Sequence, residues 1–446
     1  MQGLNCGHIA LNMGFLLLIC ILPVMALGNS FTDQRVSLRR VDDQTSMSFT
    51  ERFQSAMERS KRRVEYMSSM IKRASELKSL DVESGGDGAI QTTVVAGDGE
   101  YLMEIGLGNP VVTFQGIADT GSDLLWTQCK PCRSCFNQST PIFDPSKSST
   151  YDAATCDDPL CSELGEIGSN CNRNCGYTIT YGDGSSSSGV LSYDTVTIGS
   201  GPSFKHIAFG CAQNNNGNSF QGSGLVGLGR GPLSLVSQLG SNIQSRFSYC
   251  LVDMENPNAS SPLFFGKSAM LKAGKSLRLK KNPLISTFWY VPMTGVTVDG
   301  QKVDIPSEAL ELQNDGTGGM IIDSGTTITY FVSQVYKPIQ AAIKNLVDLP
   351  PVTSQQFPGG LCYQLPSDQS NISLPSVVFK FEGGVDMDLP AENTYVKLEE
   401  DVFCLSMTSN QDNFGILGNI QQKNFHFLYD DAQNRISFET ATCASL

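Results

Sequence analysis

Ile117-Ala118-Asp119-Thr120-Gly121-Ser122-Asp123-Leu124-Leu125-Trp126 carries an aspartate on two apolar residues into a turn of small hydroxylated residues, then returns to an apolar run. A carboxylate at such a junction is costly to desolvate unless donors hold it. Thr120 and Ser122 offer hydroxyls, and Gly121 lets backbone amides come close. Alone, the stretch also reads as an Asx turn on a surface hairpin. Its echo decides the matter. Ile321-Ile322-Asp323-Ser324-Gly325-Thr326-Thr327 repeats it 204 residues later, and Leu225-Val226-Gly227 returns as Ile416-Leu417-Gly418 after 191. A two-part pattern repeated in the same order implies two related lobes, each presenting one Asp turn to a shared cleft.

Two carboxyls brought together cannot both ionise cheaply, so one pKa rises, the other falls, and the pair shares a proton over an acidic range. Such a pair can hold a water, with the ionised member as general base and the protonated one polarising a carbonyl. That chemistry is direct hydrolysis of an amide, without a covalent intermediate, metal or cofactor. Ser or Cys nucleophile chemistry is disfavoured, because the chain has no G-x-S-x-G.

Composition agrees with a mostly β protein of two or three domains. The 446 residues include 43 Gly, only 17% are charged, and helical periodicity is rare between residues 90 and 330. A net charge of −13 argues against nucleic acid. Gly222-Ser223-Gly224-Leu225-Val226-Gly227 spells G-x-G-x-x-G, but it lacks the following helix and the βαβ frame of a dinucleotide loop.

Residues 1–28 read as a signal peptide, with an apolar run from Ile9 to Leu27 and a small-residue exit at Ala26-Leu27-Gly28. The rival is an uncleaved anchor, since no Lys or Arg precedes the run; Pro23 and the exit favour removal. Residues 30–83 then hold 11 basic against 9 acidic residues, whereas residues 84–446 carry −15. Ser48-Phe49-Thr50-Glu51 fits a capping box, and Phe53, Met57, Val64, Met67, Ile71 and Ala74 recur at helical spacing with Arg59, Lys61, Arg62 and Arg63 among them. This predicts a basic amphipathic helix in a propeptide spanning 29–93, with Ser84-Gly85-Gly86-Asp87-Gly88 as an exposed linker. The helix is expected to cover the acidic cleft at neutral pH and to let go as carboxylates protonate.

Of 14 cysteines, Cys6 and Cys20 lie in the apolar leader, leaving twelve. An even set behind a leader favours six disulfides in an oxidising compartment. Cys129-x-x-Cys132-x-x-Cys135 has a zinc-like spacing, but the histidines after the leader are only His206 and His426. Asn137, Asn258 and Asn371 begin N-glycosylation sequons. Tyr177–Ser185 reads as a strand entering a Gly-flanked hairpin tip, and Ser333–Val347 as a helix with Val335, Ile339, Ala342, Ile343 and Leu346 inward.

On these residues the chain resembles pepsin-type aspartic endopeptidases, and among them the nepenthesin-like plant branch. The motifs are Asp119-Thr120-Gly121-Ser122, Tyr181-Gly182-Asp183-Gly184, Leu225-Val226-Gly227, Asp323-Ser324-Gly325-Thr326 and Ile416-Leu417-Gly418; the Cys129–Cys175 insertion and Asn419-Ile420-Gln421-Gln422 point to the branch. The resemblance covers about Gly99 to Cys443 and implies a bilobal pepsin-like fold, residues 94–280 forming the N-terminal lobe and 281–446 the C-terminal lobe. It makes Asp119 and Asp323 the catalytic pair, supported by Thr120, Gly121, Ser122, Ser324, Gly325 and Thr326. It places Tyr181, Gly182, Asp183 and Gly184 on a flap over substrate, near Trp126. It also implies the pairs Cys129–Cys132, Cys135–Cys211, Cys156–Cys175, Cys161–Cys171, Cys250–Cys443 and Cys362–Cys404. The expected protein is a secreted zymogen, apoplastic or else vacuolar, acting as a monomer on protein or peptide substrates without nucleic acid or stable membrane association. The alternative is a catalytically silent secreted binder or glycosidase inhibitor on the same fold.

Overall fold

The structure is a computed structural model that describes residues 34–40, 48–79, 101–165, 168–169, 171–180, 186–216, 222–253, 260–365, 373–398 and 401–446. The chain divides into the units Met1–Phe31 and Thr32–Leu446, and every described residue belongs to the second. The expected signal segment, the Ser84–Gly88 linker, the flap residues Tyr181, Gly182, Asp183 and Gly184, and the sequons at Asn258 and Asn371 lie outside the described residues.

The repeat seen in the sequence is a repeat of topology. Strand Val112–Asp119 runs parallel to Gly224–Gly227, with Asp119 opposite Gly227, and Gly224–Gly227 is in turn antiparallel to Trp126–Gln128. In the second half, Met320–Ile322 runs parallel to Gly415–Leu417, which pairs antiparallel with Thr329–Val332 through Tyr330 and Ile416. Each strand of Ile, Leu and Val thus threads between two neighbours and is buried on both faces. The Asp turns sit where these strands end.

The first copy belongs to a fifteen-stranded sheet and the second to a five-stranded one. The large sheet is not confined to one half of the chain. Phe425–Asp430 and Arg435–Thr440 return from the C-terminal end to pair beside Arg246–Cys250. Trp289, fully buried, donates from Nε1 to the Leu228 carbonyl at 3.1 Å, and the Arg230 guanidinium lies 5.0 Å from its ring centre. That cation–π contact is worth about 1 kcal/mol.

The amino-terminal segment is built into the same unit. Gln34–Arg40 forms a strand between Ser261–Phe265 and Tyr101–Leu107, burying Val36 and Leu38 while Ser37 faces out. This strand was not anticipated; a seven-residue alternation in a charged context carries little signal. The predicted helix spans Phe49–Ser79, and its capping box is formed: Ser48 N donates to Glu51 Oε2 at 2.8 Å, and Glu51 N donates to Ser48 Oγ at 3.3 Å. Phe53, Met57, Val64, Met67 and Ile71 are all buried.

The helix Ser333–Leu346 buries Val335, Ile339 and Ile343 as expected, and Tyr336 as well. Leu346, expected inside, is 47% exposed. The helix ends there, and the extended backbone of the next residue turns Val347 into the core instead.

The twelve cysteines form six disulfides, and four of the expected pairs are corrected. Cys129 pairs with Cys211, and Cys132 with Cys135, not Cys129–Cys132 and Cys135–Cys211. Trp126–Gln128 runs parallel to Ser203–Asn216 with Thr127 opposite Cys211, which leaves Cys129 with its Cα 5.3 Å from that of Cys211. Cys156 pairs with Cys171, and Cys161 with Cys175, not Cys156–Cys175 and Cys161–Cys171. An antiparallel bridge between Thr155 and Asn174 carries Cys156 past Asn174 toward Cys171. Cys175 faces inward to meet Cys161 on the short helix Pro159–Glu163. Cys250–Cys443 and Cys362–Cys404 are present.

Candidate active site

Asp119 ends its strand and Asp323 follows directly on Met320–Ile322; both are fully buried, and one guanidinium reaches both. Each turn holds its own carboxylate in the same way. Gly121 N donates to Asp119 Oδ1 at 3.0 Å and Ser122 Oγ to Oδ2; Gly325 N donates to Asp323 Oδ1 at 3.0 Å and Thr326 Oγ1 to Oδ2. Neither glycine can carry a side chain. A methyl group on Gly121 would lie 2.7 Å from Asp323 Oδ1, and one on Gly325 would lie 2.8 Å from Asp119 Oδ1. The glycines therefore set how closely the two turns approach.

Thr120 and Ser324 interlock the turns. Ser324 N donates to Thr120 Oγ1 at 2.9 Å, Thr120 N donates to Ser324 Oγ at 3.2 Å, and Ser324 Oγ donates to the Ala118 carbonyl at 3.1 Å. Burial pushes the Asp119 carboxyl above its ordinary range; Arg63 opposes that shift and the neighbouring Asp323 adds to it.

Arg63 is the occupant of the pair. It lies on the long helix, 2% exposed, with Nε donating to Asp323 Oδ2 at 2.6 Å, Nη2 donating to Asp323 Oδ1 at 3.1 Å, and Nη2 also reaching Asp119 Oδ1. A planar guanidinium suits two carboxylates better than a point charge does. Of the four basic residues noted in the sequence, Lys61 is exposed, Arg62 is half-buried, and Arg59 donates from Nη1 to Ser55 Oγ at 2.6 Å. Helical rotation turns both Arg59 and Arg63 inward, and the seating of the helix brings Arg63 to the pair. The helix is tied down beside it, with Thr327 N donating to Ser60 Oγ at 2.7 Å.

The helix does not fill the cleft. A space of about 630 Å³ remains between Met57, Lys61 and Val64 on the helix and Tyr330, Phe357 and Asp412 opposite. A smaller one of about 130 Å³ lies between Tyr66 and Met70 and the walls Trp126, Ile179 and Leu233. Trp126 is fully buried in the apolar cluster that also takes up Tyr66 and Met67.

Two supports were not singled out in the sequence reading for what they do. Asp123 accepts from Gly231 N at 2.9 Å and from Thr287 Oγ1 at 2.7 Å, and burial pushes its carboxyl up to about 6. Its motif position was visible, but the long-range donors were not. Gln422 donates from Nε2 to the Asp323 carbonyl at 3.1 Å and to the Leu417 carbonyl at 2.9 Å, while Asn419 Nδ2 donates to the Ser324 carbonyl at 3.0 Å. Among the described residues no group of His, Cys, Asp and Glu is arranged to hold a metal. Cys129, Cys132 and Cys135 are all in disulfides.

This two-turn geometry agrees with the comparisons. Family models described as "Xylanase inhibitor N-terminal" and "Xylanase inhibitor C-terminal" match residues 101–267 and 288–440. Aspartic proteinase nepenthesin-1 of Nepenthes gracilis is 39% identical over 418 residues, 93% of this chain and 91% of that protein. The chain belongs to the pepsin-like plant aspartic protease family. Aspartyl protease family protein 2 of Arabidopsis thaliana is 35% identical, covering 88% of this chain and 82% of its own. The fold of this family member is shared by the solved structure titled edgp (TM-score 0.61, 20% identity, 78% of this chain and 92% of that one). It is shared as well by Basic 7S globulin from soybean (TM-score 0.59, 22% identity, 77% and 95%). No helix among the described residues is long and apolar enough to cross a membrane.

Proposed function

We propose that the chain is the secreted zymogen of an aspartic endopeptidase that hydrolyses peptide bonds at acidic pH. The observation that carries this reading is one guanidinium, Arg63, spanning both carboxylates of a buried, interlocked Asp pair. Space that fits a bridging guanidinium fits a bridging water once the helix has left. Asp119 and Asp323 then share one proton; the ionised carboxylate takes a proton from the water as it attacks, and the protonated one donates to the carbonyl oxygen. The apolar walls on both sides of the pair suit an extended peptide with bulky side chains, laid where the helix lay.

The helix of the zymogen is held by charge that acid removes. As pH falls, protons compete with Arg63 for the Asp119 carboxylate, whose raised position brings its protonation to a higher pH than an exposed aspartate would show. That protonation weakens the ion pair that seats the helix. The exposed Asn137 is available for glycosylation in a secretory route.

The test is to express the full chain, lower the pH to roughly 3–5, and follow both conversion and cleavage of a denatured protein by mass spectrometry. Asp119→Asn and Asp323→Asn should each lower kcat by about 10³-fold or more while the chain stays folded. Full activity in either variant overturns the mechanism. A wild-type chain that releases its helix yet cleaves nothing favours a silent binder or glycosidase inhibitor, the reading that the descriptions of the two family models suggest.

A further inference from the structure

Beneath the Asp pair lies a buried polar chain that the hydrolytic chemistry does not itself require. Tyr249, on Arg246–Cys250, and Tyr429, on Phe425–Asp430, meet through their hydroxyls at 2.7 Å, and Tyr249 Oη is 2.5 Å from Gln422 Oε1. All three side chains are at most 1% exposed. Both phenols lie close to the side chain of Thr120, the residue after Asp119.

The direction of each bond follows from its partners. Gln422 Nε2 faces the Asp323 and Leu417 carbonyls, which can only accept, so Oε1 faces Tyr249 and Tyr249 must donate to it. Tyr429 is then left to donate to the Tyr249 oxygen. Burial pushes both phenols above their ordinary pKa, which favours the protonated, donating form. The chain runs one way, from the Tyr429 hydroxyl beside Thr120 to the peptide carbonyl of Asp323.

We propose that Tyr249 and Tyr429 are positioning residues of the Asp pair: through Gln422 they brace the Asp323 turn, and with it one carboxylate of the pair, from below. The kinetic part of this proposal rests on the endopeptidase reading; the structural part does not. Thr120 and Ser324 join the turns at the level of the carboxylates, and the tyrosine chain holds the Asp323 turn to a sheet built by both halves of the molecule. A tie between the turns and a brace behind one of them resist a tilt that either alone would permit.

The test uses full-length Tyr249→Phe, Tyr429→Phe and the double variant. Phe keeps the ring packing, including the stack of Phe247 on Tyr429 at 4.5 Å. Two readouts are taken. Hydrogen exchange of residues 49–79 against pH gives the midpoint at which the helix leaves; Tyr249→Phe should raise it by about half a pH unit, because Arg63 no longer meets two well-placed carboxylates. After acid conversion, Tyr249→Phe should lower kcat about tenfold with KM within about twofold and shift the acid limb of the pH–rate profile, and Tyr429→Phe should lower kcat about threefold. Because the bonds are in series, the double variant should match Tyr249→Phe within about twofold. Wild-type kcat and midpoint in Tyr249→Phe, multiplying effects in the double variant, or lost stability with neither readout moved would each overturn the proposal. A wild-type chain that cleaves nothing defeats the endopeptidase reading, while the exchange midpoint still decides this one.

Discussion

The two Asp turns are near copies at the carboxylates and unlike one step behind them. At the first turn the Asp119 carbonyl accepts from a backbone amide, Leu228 N, at 2.7 Å, and the turn's own Asp123 reaches out to Gly231 N and Thr287 Oγ1. At the second, the Asp323 carbonyl accepts from a side chain, Gln422 Nε2, and Thr327 stands where Asp123 stands in the first. One turn is held by a carboxylate seeking donors, the other by an amide seeking acceptors. The comparison teaches that a reaction needing symmetric carboxylates does not need symmetric support, and that only the first support can titrate.

The part held in common should be equally sensitive in both copies. Gly121→Ala and Gly325→Ala each press a methyl against the opposite carboxylate and should each lower kcat by about 10²-fold, measured on the acid-converted enzyme. A large disparity between them would break the claim that the turns approach one another as equals.

The part that differs should separate the copies. Gln422→Leu removes the donor of the Asp323 carbonyl and the acceptor of Tyr249 and should cost about 2–3 kcal/mol in urea unfolding, at acid and neutral pH alike, since no charge is involved. Asp123→Asn should act oppositely in its pH dependence. The Asp123 pKa is raised from the ordinary 3.8 to about 6, so its contribution is fully present below 3.8 and is lost as pH rises through 6. Melting temperatures between roughly pH 4 and 7 should show a flatter profile for the Asn variant. The gain near pH 7 should be about 1–2 kcal/mol after allowing for the partial exposure of the residue. Parallel profiles for wild type and variant would show that Asp123 does not titrate in the folded state, leaving the two supports alike.

Much of this was legible in residue order because it rests on local chemistry. A turn that presents a carboxylate needs Asp, a small hydroxyl residue, Gly and another hydroxyl within four positions, and both copies spell that out. Ser48 and Glu51 announced the start of the long helix, and Phe53, Met57, Val64, Met67 and Ile71 its buried face. Leu346 was misplaced because a helical stripe does not say where the chain leaves the helix.

Disulfide partners were a different matter. Cys129 had Cys132 three residues away and took Cys211, 82 residues away, because a parallel strand pair had already fixed that distance. In the same way, four basic residues within five positions were visible, but only the seating of the helix between the two halves picked Arg63. Asp123 and Gln422 gained their roles from donors and acceptors more than 90 residues away.

By itself, then, the sequence determined the pair of Asp turns, the duplicated strand-and-turn pattern around them, and a basic helix ahead of an acidic body. Each is encoded within a few adjacent residues, where spacing alone fixes geometry. The tertiary structure decided which cation reaches the carboxylates, which cysteines meet, and what braces each turn from behind. Those depend on distances between segments remote in the chain, and such distances exist only after the sheets have assembled.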